Sequence, residues 1–131
     1  AENMGRYVDE VRALGAQPIL VTSLTRREFD PARPDKIGGT LQPYVEAVRK
    51  VAAEKHVPLI DLYARSVEFC ERLGPDGTAQ FNLNTDQGID RTHLDAAGSL
   101  VFARLVVDEL RRAVPALAPH FPSSGDSVSF F

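Results

Sequence analysis

The sequence lacks tryptophan altogether and has one methionine and one cysteine, Cys70, among its 131 residues. A lone cysteine cannot form an internal disulfide, so cysteine content says nothing about the compartment. No apolar run is long enough to span a bilayer. The formal net charge of only −3 provides no strong attraction to nucleic acid or to an anionic membrane surface, so we expect neither as a partner.

The remaining composition is that of an ordinary globular protein, with 44% hydrophobic and 25% charged residues. Two short apolar runs, Pro18–Ser23 and Val57–Leu62, are typical of buried parallel strands, and amphipathic helices alternate with them. Tyr44 and Cys70 fall on apolar helix faces and are predicted to lie in the core. The alternation predicts an α/β fold with three layers, αβα, around a parallel sheet. Such a sheet usually has about four to six strands, so two strands predict an incomplete domain.

Polar segments follow both predicted strands. Arg26 and Arg27 come after the first strand, at the edge of the sheet where ligands of α/β proteins bind. They are therefore candidate substrate-binding residues, although loop arginines are also common as solvated surface charges. Asp61 ends the second strand and is expected to cap the helix that follows. Residues 74–92 are rich in Gly, Asn, Asp and Thr and are predicted to form one long loop.

Near the end of the chain, Asp90 stands three residues before His93 on a predicted loop, and Asp95 is suited to cap the last helix. The spacing lets Asp90 hold one ring nitrogen of His93 while the other nitrogen faces a cleft. A histidine oriented by a carboxylate is two thirds of a serine-hydrolase triad. On the residues alone, both side chains could instead only cap and stabilise the loop. A metal site would need further ligands at suitable spacing from His93. The other histidines, His56 at a predicted helix end and His120 in the tail, do not provide that spacing, so no metal site is predicted.

Four stretches of the chain, taken in order, carry a resemblance to a known family: Tyr7–Thr22, Val57–Ser66, Asp90–His93 with its helix, and Pro115–Pro119. Together they resemble the SGNH (GDSL-type) hydrolases, and in particular the rhamnogalacturonan acetylesterase-like branch. The resemblance implies the flavodoxin-like three-layer fold of that family. Residues 1–121 are therefore expected to form the C-terminal half of an SGNH hydrolase domain, and residues 122–131 a tail.

The resemblance also implies a chemistry. SGNH hydrolases cleave esters, and many remove acetyl groups from carbohydrate. A serine attacks the ester carbonyl, His93 would act as general base and then as general acid, and Asp90 would orient the imidazole. No metal or organic cofactor is implied. The expected partner is an acylated carbohydrate or another small ester, and secretion of the full-length protein would agree with the family.

In this family the nucleophilic serine and the oxyanion-binding residues precede the stretch that corresponds to residue 1. The chain alone is therefore expected to be inactive. It would need the N-terminal half of the same domain, or self-association, to cover its open sheet. Two alternatives remain. One is a non-catalytic α/β binding or interaction fragment. The other is a permuted hydrolase, since Ser124–Val128 resembles the family's Gly-Asp-Ser signature and would make Ser127 the nucleophile.

Overall fold

A computed structural model describes residues 2–121 of the chain. The helices are α1 (Glu2–Ala13), α2 (Gln42–Lys55), α3 (Leu62–Ala79), α4 (Ala96–Ala113) and a 3-10 helix (Pro115–His120). The strands are β1 (Leu20–Val21), β2 (Phe29–Asp30), β3 (Arg33–Ile37), β4 (Leu59–Ile60), β5 (Asn82–Thr85) and β6 (Gly88–Leu94). None of the helices within the described residues is long and apolar enough to cross a membrane.

The two apolar runs form the parallel pair that the sequence predicts. Leu20 pairs with Leu59 and Val21 pairs with Ile60. The connection between the two strands contains an antiparallel hairpin of β2 and β3 and then α2. α2 packs against β1, and α4 packs against β4. The arrangement of helices on a parallel pair agrees with the predicted three-layer α/β fold. The ladder is shorter than the apolar runs, and Pro58, which has no amide hydrogen to donate, directly precedes β4.

The inner face of α2 shows how one helix covers the strand pair. Its buried residues are Val45, Val48, Val51 and Ala52, and the last three follow Val45 by three, six and seven positions, which places all four on one side of the helix. Tyr44 is 69% exposed, so the prediction that it lies in the core was wrong. Tyr44 lies on the same side of the helix as Val48 and Val51 but in its first turn, so lying on the buried side is not by itself enough to bury a side chain.

The prediction of a long loop over residues 74–92 was also wrong. The helix does break at Gly74, whose φ of 71° is left-handed, but Pro75 then starts a further helical stretch that ends at Ala79. Proline suits the first turn of a helix because its missing N–H would be unpaired there anyway. The Thr78 hydroxyl lies 3.0 Å from the carbonyls of both Gly74 and Pro75 and donates to them, which stabilises the first turn after the break. β5 and β6 then form an antiparallel hairpin.

A small aromatic cluster joins this hairpin to the helices. Cys70, Phe81 and Phe102 are buried together, with Phe69 packed against them. The rings of Phe69 and Phe81 both meet the Phe102 ring edge-on, with centroids 5.6 and 5.9 Å away. Burial raises the pKa of the Cys70 thiol to about 11, and its location confirms the core position predicted for it. The cluster holds α3, α4 and the start of β5 as one unit.

Candidate functional site

The hairpin of β5 and β6 carries both residues of the predicted catalytic pair. Leu83 on β5 lies opposite Asp90, whereas its neighbour Asn82 lies opposite Leu94. One step along β5 therefore corresponds to the whole stretch from Asp90 to Leu94 on β6. Residues 91–93 bulge out of the ladder as a result. The pair lies at a bulge within a strand, and not on a plain loop as the sequence predicted.

Asp90 shapes this bulge and orients the histidine ring. Its Oδ1 accepts the backbone N–H groups of Thr92 (2.7 Å) and His93 (3.0 Å). Its Oδ2 lies 2.6 Å from Nδ1 of the His93 ring. An aspartate that accepts the amide hydrogen two residues on makes an Asx-turn, which folds the chain back locally. One carboxylate thus fixes both the backbone and the imidazole of residue 93.

The electrostatics of the pair favour an ionised Asp90. The hydrogen bond from the His93 ring, followed by the backbone N–H groups of His93 and Thr92, lowers the pKa of Asp90 to about 2. The Asp90 side chain is 27% exposed and that of His93 is 73% exposed. With Nδ1 held by Asp90, the free ring nitrogen is Nε2. No serine hydroxyl within residues 2–121 donates a hydrogen bond to His93.

The low pKa of Asp90 has a testable consequence. Because the folded-state pKa lies below the ordinary value of about 3.9, the carboxylate stabilises the fold above that value. This stabilisation is lost as the pH falls from about 4 towards 2. We expect the Asp90 carboxyl signal in ¹³C NMR to titrate near pH 2, and His93→Gln to move that midpoint upwards. A midpoint near pH 4 in the unmodified protein would contradict the hydrogen-bonded geometry.

Asp95 fixes the start of α4 next to the end of β6. Its side chain accepts the N–H of Gly98 at 2.7 Å, which confirms the predicted N-cap. Its own N–H donates to the Phe81 carbonyl at 3.1 Å. Gly98 lies so close to Phe81 that an added Cβ would stand 2.9 Å from the Phe81 Cβ and 3.0 Å from its carbonyl oxygen. The helix therefore meets the hairpin through a contact that only glycine fits.

The two arginines predicted to bind substrate lie in different surroundings. Arg26 is partly exposed, whereas Arg27 is only 2% exposed. The Arg27 guanidinium donates to the side chain of Asn82 (2.6 Å) and to the backbone carbonyl of His93. Arg27 thus bonds to the hairpin and has little surface left for a substrate. Substrate contact by Arg26 and Arg27 stays a prediction. The sequence analysis did not single out Asn82, the partner of Arg27, because it stands in a polar segment where one asparagine looks like any other.

Asp61 has the capping position that the sequence predicts. Its carboxylate accepts the N–H of Ala64 and the hydroxyl of Thr22, both at 3.2 Å. It also pairs with Arg49 at 2.7 Å. Thr22 in turn accepts the N–H of Tyr63 at 2.8 Å. Asp61 therefore ties the carboxyl ends of β1 and β4 to the helices around them.

A cavity of about 480 Å³ lies beside the bulge, between the hairpin, β2 and the end of α3. Polar side chains in its lining include Glu28, Asp76, Asn82, Asn84 and Arg91. Carboxylates, amides and guanidinium groups of this kind can hydrogen-bond sugar hydroxyls. Residues 2–121 contain no group of three or more His, Cys, Asp or Glu side chains placed to hold a metal ion. Ser127 lies outside the described residues.

No family model matches the chain, but two proteins of Bacillus subtilis strain 168 are similar to it in sequence. The first is the rhamnogalacturonan acetylesterase RhgT, which is 32% identical over 126 residues, covering 89% of this chain and 53% of the relative. The second is the probable rhamnogalacturonan acetylesterase YesY, which is 26% identical over 106 residues, covering 81% of this chain and 48% of the relative.

A solved structure agrees with these relatives. The crystal structure of protein YxiM from Bacillus subtilis matches with a TM-score of 0.71 and 30% identity, covering 85% of this chain and 30% of that chain. The chain spans about half the length of the curated relatives it matches. The resemblance to the SGNH hydrolases found in the sequence is thereby confirmed, and this chain is a homologue of rhamnogalacturonan acetylesterases.

Proposed function

We propose that this chain supplies the histidine and the aspartate of a serine ester hydrolase that removes acetyl groups from carbohydrate. The observation that carries the proposal is the 2.6 Å contact between Nδ1 of His93 and Oδ2 of Asp90, with the ring largely exposed. A solvated histidine that only stabilised the backbone would not need an ionised carboxylate on its ring. The acetyl group and the carbohydrate are carried over from the names of the relatives.

The proposed ester hydrolysis follows from the hydrogen bond between Asp90 and Nδ1 of the His93 ring. Asp90 keeps the proton of neutral His93 on Nδ1, so Nε2 has a lone pair and can take the proton of an attacking serine hydroxyl. The serine oxygen then bonds to the ester carbonyl carbon, and the imidazolium gives its proton to the departing sugar oxygen. Water repeats the sequence on the acetyl-enzyme and releases acetate. Asp90 stabilises the imidazolium in both steps without itself taking a proton.

We further propose that the nucleophilic serine belongs to the rest of a longer protein, which also covers the parallel strand pair. Two-stranded parallel sheets are not stable alone, because parallel sheets normally have both faces and several strands covered. Val21, the second of the two residues of β1, is 44% exposed. The curated relatives are about twice as long as this chain. Both features support a second half that completes the sheet; self-association is the competing arrangement.

A fluorophosphonate probe tests the proposal, because it labels only an activated serine. In the full-length protein we expect one label, mapped by peptide mass spectrometry to a serine outside residues 1–131. His93→Gln should abolish labelling and the hydrolysis of an acetylated oligosaccharide. His120→Gln makes the same chemical change at an exposed position and should leave both unchanged.

Three outcomes would contradict the proposal in different ways. A label on Ser127 would indicate the permuted hydrolase. Labelling and hydrolysis that survive His93→Gln would remove His93 from the mechanism. A full-length protein that neither takes the label nor releases acetate would favour a non-catalytic binding fragment. Sizing this chain would then show whether it self-associates.

A further inference from the structure

Arg27 is the only charged residue in the buried interior of residues 2–121. A buried guanidinium is costly unless hydrogen bonds and nearby negative charge compensate for the lost water. Burial lowers the pKa of Arg27 from its ordinary value, and the nearby Cys70, Asp90 and Asp95 oppose that shift. Asp90 belongs to the candidate catalytic pair and Asp95 caps the adjoining helix α4, so the Arg27 cation lies near carboxylates that precede and follow His93 in the sequence.

The contacts of Arg27 converge on the bulge. Its backbone N–H donates to the carbonyl of Arg91 at 3.0 Å. Its Nη2 donates to the carbonyl of His93, and its Nε donates to Oδ1 of Asn82 at 2.6 Å. Residues 91–93 have left the β5 ladder, so their carbonyls need other donors. Arg27 provides donors to the carbonyls at both ends of this bulged segment.

The loop that presents Arg27 is itself anchored. The N–H of Thr25 donates to the Ser66 hydroxyl at 3.0 Å, and that hydroxyl donates to the Tyr63 carbonyl at 3.1 Å. Thr25 and Ser66 are both buried. Arg27 therefore links the bulge to α3, an element that does not belong to the hairpin.

We infer that Arg27 is a positioning residue for His93. Asp90 sets the rotation of the imidazole, whereas Arg27 holds the main-chain carbonyl of His93 and so fixes where the ring stands relative to α3. The planar fork of arginine can reach Asn82 and His93 at the same time, which a single ammonium group cannot do in that geometry. This inference rests on the proposed function for its catalytic meaning, but the tether itself can be measured without any activity.

The kinetic test compares Arg27→Lys and Arg27→Met with Arg6→Lys, a control on helix α1, in the full-length protein. Lysine keeps the charge and loses the fork, and methionine keeps only the apolar stem. Because a shift of about 1 Å in a catalytic group can cost about 10²-fold in rate, we expect kcat to fall about 10- to 100-fold while KM stays nearly unchanged. Arg6→Lys makes the same chemical change at an exposed position and should leave kcat unchanged. A rise in KM with constant kcat would instead assign Arg27 to substrate binding and overturn the inference.

The second test measures amide hydrogen exchange by mass spectrometry in the same proteins. The amides of Thr92 and His93 donate to Asp90 and should exchange at least about 10-fold faster when Arg27 is replaced. Peptides from α2 should exchange as before. Faster exchange throughout the protein would indicate a purely global loss of stability, and unchanged exchange in the hairpin would show that Arg27 tethers nothing. Either result overturns the inference, even if the full-length protein proves to have no esterase activity.

Discussion

If the proposed function holds, Asp90→Asn is expected to lower kcat of the full-length protein for ester hydrolysis about 10⁴-fold while the protein stays folded. The carboxylate does two things in the structure: Oδ1 accepts backbone N–H groups and Oδ2 accepts the ring N–H. An amide oxygen can replace Oδ1 and keep the bulge. The amide nitrogen would then face Nδ1 of His93 and donate to it.

That reversal changes the histidine tautomer. If Nδ1 must accept a hydrogen bond, the proton of the neutral ring moves to Nε2. A protonated Nε2 cannot take the proton of a serine hydroxyl, so the first step of catalysis loses its general base. The charge that stabilises the imidazolium is lost as well. The rate therefore falls although every atom of the site keeps nearly the same position.

Initial rates of acetate release measure the effect, with Asp86→Asn as the matched control. Asp86 is an exposed aspartate in the turn of the same hairpin, so its replacement changes the net charge by the same amount. It should leave kcat within about twofold, as for a surface change away from the site. A loss of less than about tenfold for Asp90→Asn would mean that Asp90 only folds the bulge.

The sequence predicted the parts of this structure that depend on apolar pattern or on local spacing. Two apolar runs predicted the parallel pair of β1 and β4, and helix-capping rules placed Asp61 and Asp95 correctly. The contact between Asp90 and His93 follows from a separation of three residues, within which a short side chain can reach back along the chain.

The hairpins could not be predicted in the same way. β5 reads Asn-Leu-Asn-Thr and β6 mixes polar and apolar residues without strict alternation, so neither gives the period-two signal of a strand. The contacts of Arg27 join residues that are 55 and 66 positions apart. No local pattern predicts a pairing over such a distance, and a buried arginine looks like any other loop arginine in the sequence.

Gly98→Ala is expected to lower the free energy of unfolding by about 2 kcal/mol, the usual cost of overpacking a tight contact. Alanine favours a helix over glycine by up to about 1 kcal/mol, but here the added methyl group would meet the Phe81 Cβ at 2.9 Å and its carbonyl oxygen at 3.0 Å. Backbone atoms cannot rotate out of the way. The start of α4 must therefore move, and it would strain the bond from Asp95 to the same carbonyl.

Urea unfolding measures this change, and Gly5→Ala is the matched control. Gly5 lies within α1, where an added Cβ would be 3.6 Å from the end of the Lys55 side chain, an ordinary contact. There the gain in helix propensity is not opposed, so stability should rise by about 0.5–1 kcal/mol. The two identical substitutions are therefore expected to have opposite signs. If both stabilised the protein, α4 could not lie as close to Phe81 as the structure has it, and the attachment of this helix to the hairpin of His93 would need revision.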